Sequence, residues 1–289
     1  MTMAMAVRAA REEDLVDIVS WTRATFEWGD YVPDRLPSWL SESDSVVLVA
    51  VDESDRPLGV CHAVMLSGYE GWLEAARVHP AHRRAGLGSA LNQAGVDWLA
   101  GRGARVVRLA VEASNSAARS QVERLGYRQV STWYHGKLEV DPNRRCPASC
   151  RLHPVPPGEI DAAWLFWANG DLAVGGRELM ARGWQWRRTR PEDLAQAASE
   201  GQLHQSPAGW VIVDQTAAGW LRAGWLAAEL EEAPRLFDGL HDLAVDWAAE
   251  GVDVKVPGVP WMVETLTRAG TDPKEVLIYA LATVSRGRP

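Results

Sequence analysis

Val78-His79-Pro80-Ala81-His82-Arg83-Arg84-Ala85-Gly86-Leu87-Gly88-Ser89-Ala90-Leu91 reads as the end of a strand, a basic turn with two glycines, and the first turn of an amphipathic helix. Gly86 and Gly88 have no Cβ, so main chain can approach a ligand closely there. The first amides of a helix have no intrahelical partner, and the helix dipole lies behind them. Such a turn holds an anion, and a diphosphate fits it. Arg83 and Arg84 add positive charge beside it.

Outward from this turn, the first half alternates elements. Val7–Ala10 has strand character. Glu12-Glu13-Asp14 puts acids at a helix start, and Leu15, Ile18, Val19 and Thr22 continue at helical spacing. Pro33–Leu40 predicts a short helix. Val46–Val51 and Leu58–Leu66 form a hairpin across the polar turn 52–57, and Trp72–Val78 is the strand that enters the basic turn. Leu87, Ala90, Leu91, Ala94, Trp98 and Leu99 share a helix face that Gly101 and Gly103 end. Val106–Val111 is a strand, Asn115–Leu125 a helix closed by Gly126, and Val130–Val140 supplies the last strands. Strict alternation on Trp72–Val78 puts Trp72, Glu74, Ala76 and Val78 on one face.

The spacing Arg-x-x-Gly-x-Gly after Val-x-Pro resembles the acetyl-CoA loop of the GCN5-related N-acetyltransferase (GNAT) superfamily. Asn115-Ser116-Ala117-Ala118 followed by Leu125-Gly126-Tyr127 resembles that family's second motif, and the resemblance covers about residues 7–140. It implies an α/β (α+β) fold with a central mixed, mostly antiparallel sheet flanked by helices. It also implies acetyl-CoA as co-substrate, bound by the main chain of Arg83, Arg84, Ala85, Gly86, Leu87, Gly88 and Ser89. The edge of Ala76, Arg77 and Val78 would pair with the pantetheine arm, and Asn115 would lie near it or cap its helix. In several family members a glutamate on this strand is the base, which points to Glu74; Glu112 is a weaker choice. Many members carry a tyrosine seven residues after the motif asparagine, where this chain has Val122. Ser120, Tyr127, Tyr134 or water would then protonate the leaving thiolate, and Tyr134 is taken as the candidate.

Asp141–Pro147 reads as a linker. Beyond it the chain repeats itself at an offset near 145: Arg151 with Glu159-Ile160 follows Arg8 with Asp14-Leu15, Val245-Asp246-Trp247 follows Val96-Asp97-Trp98, and Gly209–Asp214 matches Val46–Asp52 in kind. Two tandem copies are expected, a catalytic one at 1–143 and a degenerate one at 150–289. The stretch that corresponds to the loop, Gly224–Pro234, has no glycine or arginine pair and carries three glutamates, which repel a diphosphate. Tandem members that make mycothiol keep the catalytic copy second; here the loop lies in the first, which argues against that assignment.

The net charge of −8 disfavours a nucleic-acid binder. Three cysteines without a paired His/Cys set at ligand spacing exclude a disulfide framework and predict no metal. No apolar run is long enough to span a bilayer, so no membrane partner is expected and a cytoplasmic location is. Fifteen tryptophans read as core filling. The expected activity is acetyl transfer from acetyl-CoA to a primary amine of a small molecule or peptide. The alternatives are a non-catalytic CoA or acyl-CoA sensor or scaffold and a transferase of another acyl group. Acceptor and oligomeric state are not legible.

Overall fold

The computed structural model describes residues 6–23, 25 and 29–283. The chain forms two compact units that interleave in sequence. One contains residues up to 109 with 120–128 and the chain end from 280; the other contains 110–119 and 129–279.

In the first unit β1 (Ala6–Ala9) leads to α1 (Asp14–Thr22) and α2 (Val32–Ser41). Asp14 fixes the β1–α1 turn: its carboxylate accepts two hydrogen bonds from Arg8 at 2.7 and 2.9 Å and one from the Arg11 amide at 2.7 Å. Then come β2 (Ser45–Val51), β3 (Pro57–Met65) and β4 (Glu70–Val78). Asp52 builds the β2–β3 turn by accepting from the amides of Ser54 and Arg56. α3 (Leu87–Gly101), β5 (Val106–Glu112) and α4 (Ser116–Arg124) follow. The strands lie in the order β1-β2-β3-β4-β5, with β4 and β5 parallel and the other pairs antiparallel. Ile18, Val32, Leu36, Trp39, Val49 and Val60 pack one face of the sheet, and Leu48, Ala50, Cys61, Leu87 and Leu91 the other.

Two expectations for this half change. Residues 130–140 form one continuous strand, β6 (Arg128–Glu139), where more than one was expected. The single face on β4 is broken by a bulge: Glu74 pairs with His62 but Arg77 with Val60, so two residues of β4 oppose Cys61. Ala75 there has φ +58°. The extra residue flips the alternation. Glu74 therefore shares its face with Trp72 and Arg77, not with Val78, which pairs with Gly59 on the other face.

The second unit carries β7 (His153–Pro154), α5 (Ile160–Ala168), α6 (Asp171–Gly175), the hairpin β8 (Leu179–Arg182) and β9 (Gln185–Arg188), and α7 (Pro191–Ser199). After them come β10 (Leu203–Ser206), β11 (Gly209–Gln215), β12 (Leu221–Ala227), α8 (Ala233–Asp246), β13 (Gly251–Pro257), α9 (Pro260–Arg268) and β14 (Lys274–Ala282). Its sheet runs β14-β6-β13-β12-β11-β10-β7. Trp186 and Trp225 are among its largest sealed side chains, as core filling predicts.

The segment β7-β10-β11-β12-β13 has the order of β1-β2-β3-β4-β5, and β12 pairs parallel with β13 as β4 does with β5. The sheet order assigns Gly209–Gln215 to β3, not to β2, because β10 takes the β2 place. The β8–β9 hairpin forms a small sheet of its own, which the first unit lacks among its described residues. Arg151 approaches Asp242 at 3.8 Å, so its match to Arg8 does not preserve the partner. The true recurrence of the first turn is Arg187-x-x-Arg190-x-x-Asp193. Arg187 binds the Asp193 carboxylate at 2.8 and 2.9 Å, and the Arg190 amide donates to it at 2.8 Å.

Candidate functional site

The basic turn stands in the first unit. His79 caps a short 3-10 turn at Pro80–His82, accepting from the Ala81 amide at 3.2 Å. Arg84 has φ +65° and Gly86 φ +86°, and Gly86 is the N-cap of α3. Arg83, Arg84, Ala85 and Gly86 are exposed, whereas Leu87 is sealed in the core and anchors the helix start. The Gly86 carbonyl takes the amides of Ser89 and Ala90. Among the described residues the amides of Arg84, Ala85, Gly86, Leu87 and Gly88 have no main-chain acceptor. Five consecutive donors at a positive helix end, with Arg83 and Arg84 beside them, form an anion cradle. Gln121 of α4 covers Gly88: a Cβ there would lie 2.8 Å from Gln121 Nε2.

β4 and β5 pair only over Glu70–Trp72 with Val106–Arg108. Beyond Trp72 that edge of β4 carries no strand ladder among the described residues, so Ala76, Arg77 and Val78 offer main-chain groups to an extended ligand. The bulge at Ala75 leaves a further main-chain group out of the ladder.

On the α1–α2 face, Glu74 meets His62 at 3.0 Å (Oε1 to Nδ1). His62 is buried and stacks on Trp39, ring centres 4.3 Å apart. Arg77 binds Asp30 with two hydrogen bonds of 2.7 and 3.1 Å, and its guanidinium lies 5.5 Å from the Tyr31 ring centre. Burial, with the charges of Glu74 and Asp30, pushes the Tyr31 phenol up to about 12, against the opposing charge of Arg77. Glu74 thus sits among a histidine, two aromatic rings and a clamped arginine. Sequence reasoning identified Glu74 but missed His62, Asp30, Tyr31 and Trp39 as its surroundings. The cross-strand partner of Glu74 was the only signal available for His62. Residues 26–28, ahead of Asp30 and Tyr31, lie outside the described residues.

The tyrosines separate. Tyr127 is fully buried and its phenol donates to Asn92 at 3.4 Å; burial raises its pKa far out of range. Tyr134 lies on β6 of the second unit, half-buried against that unit's core, and burial and the Glu275 charge raise its pKa. Val122, at the place of the usual tyrosine, is buried. Asn115, also in the second unit, caps α4: its Oδ1 accepts from the Ala118 amide at 3.0 Å. Glu112 ends β5, exposed.

The corresponding turn of the second unit is chemically different. The amides of Glu232 and Ala233 are taken by the Glu229 carbonyl, and those of Arg235 and Leu236 by the Glu232 carbonyl. Pro234 has no amide to offer. Glu229, Glu231 and Glu232 add negative charge there.

Comparison with known proteins bears on the family and the fold. Residues 14–127 match the model of the acetyltransferase (GNAT) family. A mycothiol acetyltransferase of Sanguibacter keddieii is 28% identical over 207 residues, covering 68% of this chain and 59% of that protein. The chain therefore spans less than two thirds of the length of that relative. Among solved structures, a GCN5-related N-acetyltransferase from Sphaerobacter thermophilus matches 96% of this chain and 95% of its own, with TM-score 0.68 and 16% identity. A tandem GNAT protein from the clavulanic acid biosynthesis pathway matches 97% and 98%, with TM-score 0.60 and 15% identity. Over residues 14–127, the chain is similar to the acetyltransferase (GNAT) family.

Proposed function

We propose that this chain is a cytoplasmic N-acetyltransferase that moves an acetyl group from acetyl-CoA to a primary amine of a small molecule or peptide. Residues 1–143 carry the chemistry, and 150–289 form a degenerate copy. The observation that carries the reading is the row of unpaired amides from Arg84 to Gly88 ahead of α3, beside the open edge of β4.

The residues divide the work as follows. The main chain of Arg84, Ala85, Gly86, Leu87 and Gly88 holds the diphosphate with Arg83 beside it, whereas the Ser89 amide, also expected to bind it, is taken by the Gly86 carbonyl. Ala76, Arg77 and Val78 hold the pantetheine arm by their main chain, since the Arg77 side chain is spent on Asp30. Asn115 holds α4 in place by its cap. Acetyl-CoA supplies an acyl thioester with a good leaving group. Glu74 accepts the proton of the attacking amine, and His62 fixes the carboxylate that does so. A C–N bond forms as the C–S bond breaks, and a proton goes to the sulfur, with Tyr134 as the donor proposed from the sequence. No step calls for a metal, and among the described residues no three His, Cys, Asp or Glu side chains cluster as ligands. No helix among the described residues is long and apolar enough to cross a membrane.

The test is thiol release from acetyl-CoA over an amine panel that includes the acceptor of mycothiol acetyltransferases, with CoA affinity measured in parallel. Turnover with any amine supports the enzyme. CoA binding without turnover favours the second reading, a CoA-binding sensor, which Val122 in place of the usual tyrosine supports. Propionyl-CoA and longer thioesters separate acetyl transfer from other acyl transfer.

A further inference from the structure

The second unit holds a polar cleft that acetyl transfer does not use. β12 carries a bulge like that of β4: Val213 pairs with Ala223 and Ile212 with Trp225, so Gly224 is the extra residue. Where β3 and β4 pair His62 with Glu74, β11 and β12 pair Asp214 with Arg222. A cation thus replaces the carboxylate of the candidate base. Arg222 donates to the Asp214 carboxylate through Nε and Nη2, each at 2.7 Å. Asp253 is its neighbour in the parallel ladder, and Lys255 lies two residues on, on the same face. Lys255 is 2% exposed, donates to Asp253 at 2.7 Å and lies 4.9 Å from the Trp184 ring centre. The β8–β9 turn closes this region: a Cβ on Gly224 would lie 2.0 Å from the Ala181 carbonyl oxygen.

These groups line one cleft together with Met180, Arg182 and Ile212. The balance of hydrogen-bonding capacity points to the charge of a ligand there. Asp214 accepts from Arg222 at both oxygens, and Asp253 accepts from Lys255 at Oδ1. Donors without acceptors stand beside them. Arg222 Nη1 faces the turn at Gly183 with no acceptor among the described residues. Lys255 has further N–H groups beyond the one given to Asp253. Trp225 is 2% exposed, lines the cleft, and its indole N–H has no acceptor among the described residues. A buried donor without an acceptor is costly, and a ligand oxygen would relieve it.

We propose that this cleft binds a small carboxylate, held by Lys255 and the Trp225 indole N–H. The site lies wholly in the second unit and stands whether or not the first unit transfers acetyl groups. The full chain is titrated with acetate, propionate and pyruvate, with inorganic phosphate as a second oxyanion and acetamide as the neutral control. Calorimetry and the indole N–H resonance of Trp225, assigned by its loss in Trp225→Phe, are the readouts. The expected result is binding of at least one carboxylate with a shift of that resonance and none with acetamide. Lys255→Met should weaken binding about tenfold or more, and the near-isosteric Trp225→Phe about threefold to tenfold. Trp225→Phe removes one donor and keeps an aromatic ring in place, so it decides if Lys255→Met fails to fold. No carboxylate response up to roughly 50 mM, where a site with net hydrogen bonds of ordinary strength would respond, overturns the proposal. Phosphate binding tighter than every carboxylate overturns it, as does affinity unchanged in both variants.

Discussion

Gly86 offers a clean test of the anion cradle. Its φ of +86° lies in the left-handed region, and it is exposed, as are Arg83, Arg84 and Ala85 before it. Asn and Asp are the residues that enter this region most readily after glycine, so Gly86→Asn and Gly86→Asp should carry nearly the same strain. They differ by one negative charge beside the proposed diphosphate. At about 6 Å, a pair of unit charges is worth ~2.8 kcal/mol at an effective dielectric of 20 and ~0.7 kcal/mol in bulk water. Those limits correspond to roughly 100-fold and 3-fold in affinity. A bound diphosphate displaces water from the turn, which moves the site toward the larger figure. Gly86→Asp should therefore bind CoA at least about tenfold more weakly than Gly86→Asn, and salt should narrow the gap. Calorimetry with CoA measures it, with pantetheine, which lacks the diphosphate, as the internal control. Equal affinities for CoA in two folded variants would refute the cradle. So would an equal loss for pantetheine, because that ligand carries no charge for the aspartate to repel.

The other expectations concern separate parts of the molecule. Glu74→Gln should lower kcat by about 10²-fold or more while acetyl-CoA affinity stays within about twofold, since general-base contributions are of that order; an unchanged kcat would remove Glu74 from the mechanism. Tyr134→Phe should slow the chemical step and leave binding intact, and a variant with wild-type single-turnover rate assigns the proton donor elsewhere. One CoA should bind per chain, because the helix start at Glu232–Leu236 has its amides occupied and Glu231 and Glu232 beside it; two equivalent sites in a titration would contradict that. Asp253 should contribute to acid stability. Burial pushes its pKa up, but the hydrogen bond from His135 and the charge of Lys255 outweigh this and bring it from 3.8 down to about 2. Its contribution is complete above pH 3.8 and disappears as pH falls through about 2, so Asp253→Asn should flatten that part of an acid-unfolding curve.

The sequence made the turn at residues 83–89 legible because each of its features is local. Glycines, arginines and a following helical period all lie within one stretch, and each acts on the main chain next to it. The element order of the first half was legible for the same reason: short apolar runs are separated by turns such as Asp52–Pro57, where a single aspartate organises the bend. What was hidden depends on pairing across the sheet. Nothing about Ala75 announces φ +58°, since alanine has no preference for it, yet that one residue decides which side chains share a face with Glu74. His62 lies twelve residues from Glu74 in sequence and reaches it only because β3 folds back. In the second half the apolar run at 209–214 could be matched to either of two strands. Only the ladder, with β10 inserted before it, settles the match. The recurrence of Arg-x-x-Arg-x-x-Asp at 187–193 was written in the sequence and was a usable signal, because the two arginines and the aspartate make the same three bonds in both places.

The two bulges carry the argument about divergence. β4 and β12 each insert one residue at the same place in the ladder, Ala75 region against Cys61 in one and Gly224 in the other. A bulge costs ladder bonds, so its presence in both copies fits a backbone shape inherited before the copies separated. What changed is what the bulge displays. In the first copy it stands between a histidine–glutamate pair and an open strand edge that leads to unpaired helix amides. In the second the pair has become aspartate–arginine, Ala181 packs on the bulge, and the helix amides ahead of Pro234 are closed. In the mechanism proposed above these three features act together, and each differs in the second unit. A single change could be drift within a working enzyme. Three together fit the proposal that the second copy was released from that chemistry, and its buried Lys255 then needs a reason of its own. Replacing Lys255 and Asp253 together by Met and Leu tests whether that reason is structural: a variant at least as stable as the parent shows that the ion pair is not kept for stability. That outcome leaves binding as the reason for its retention.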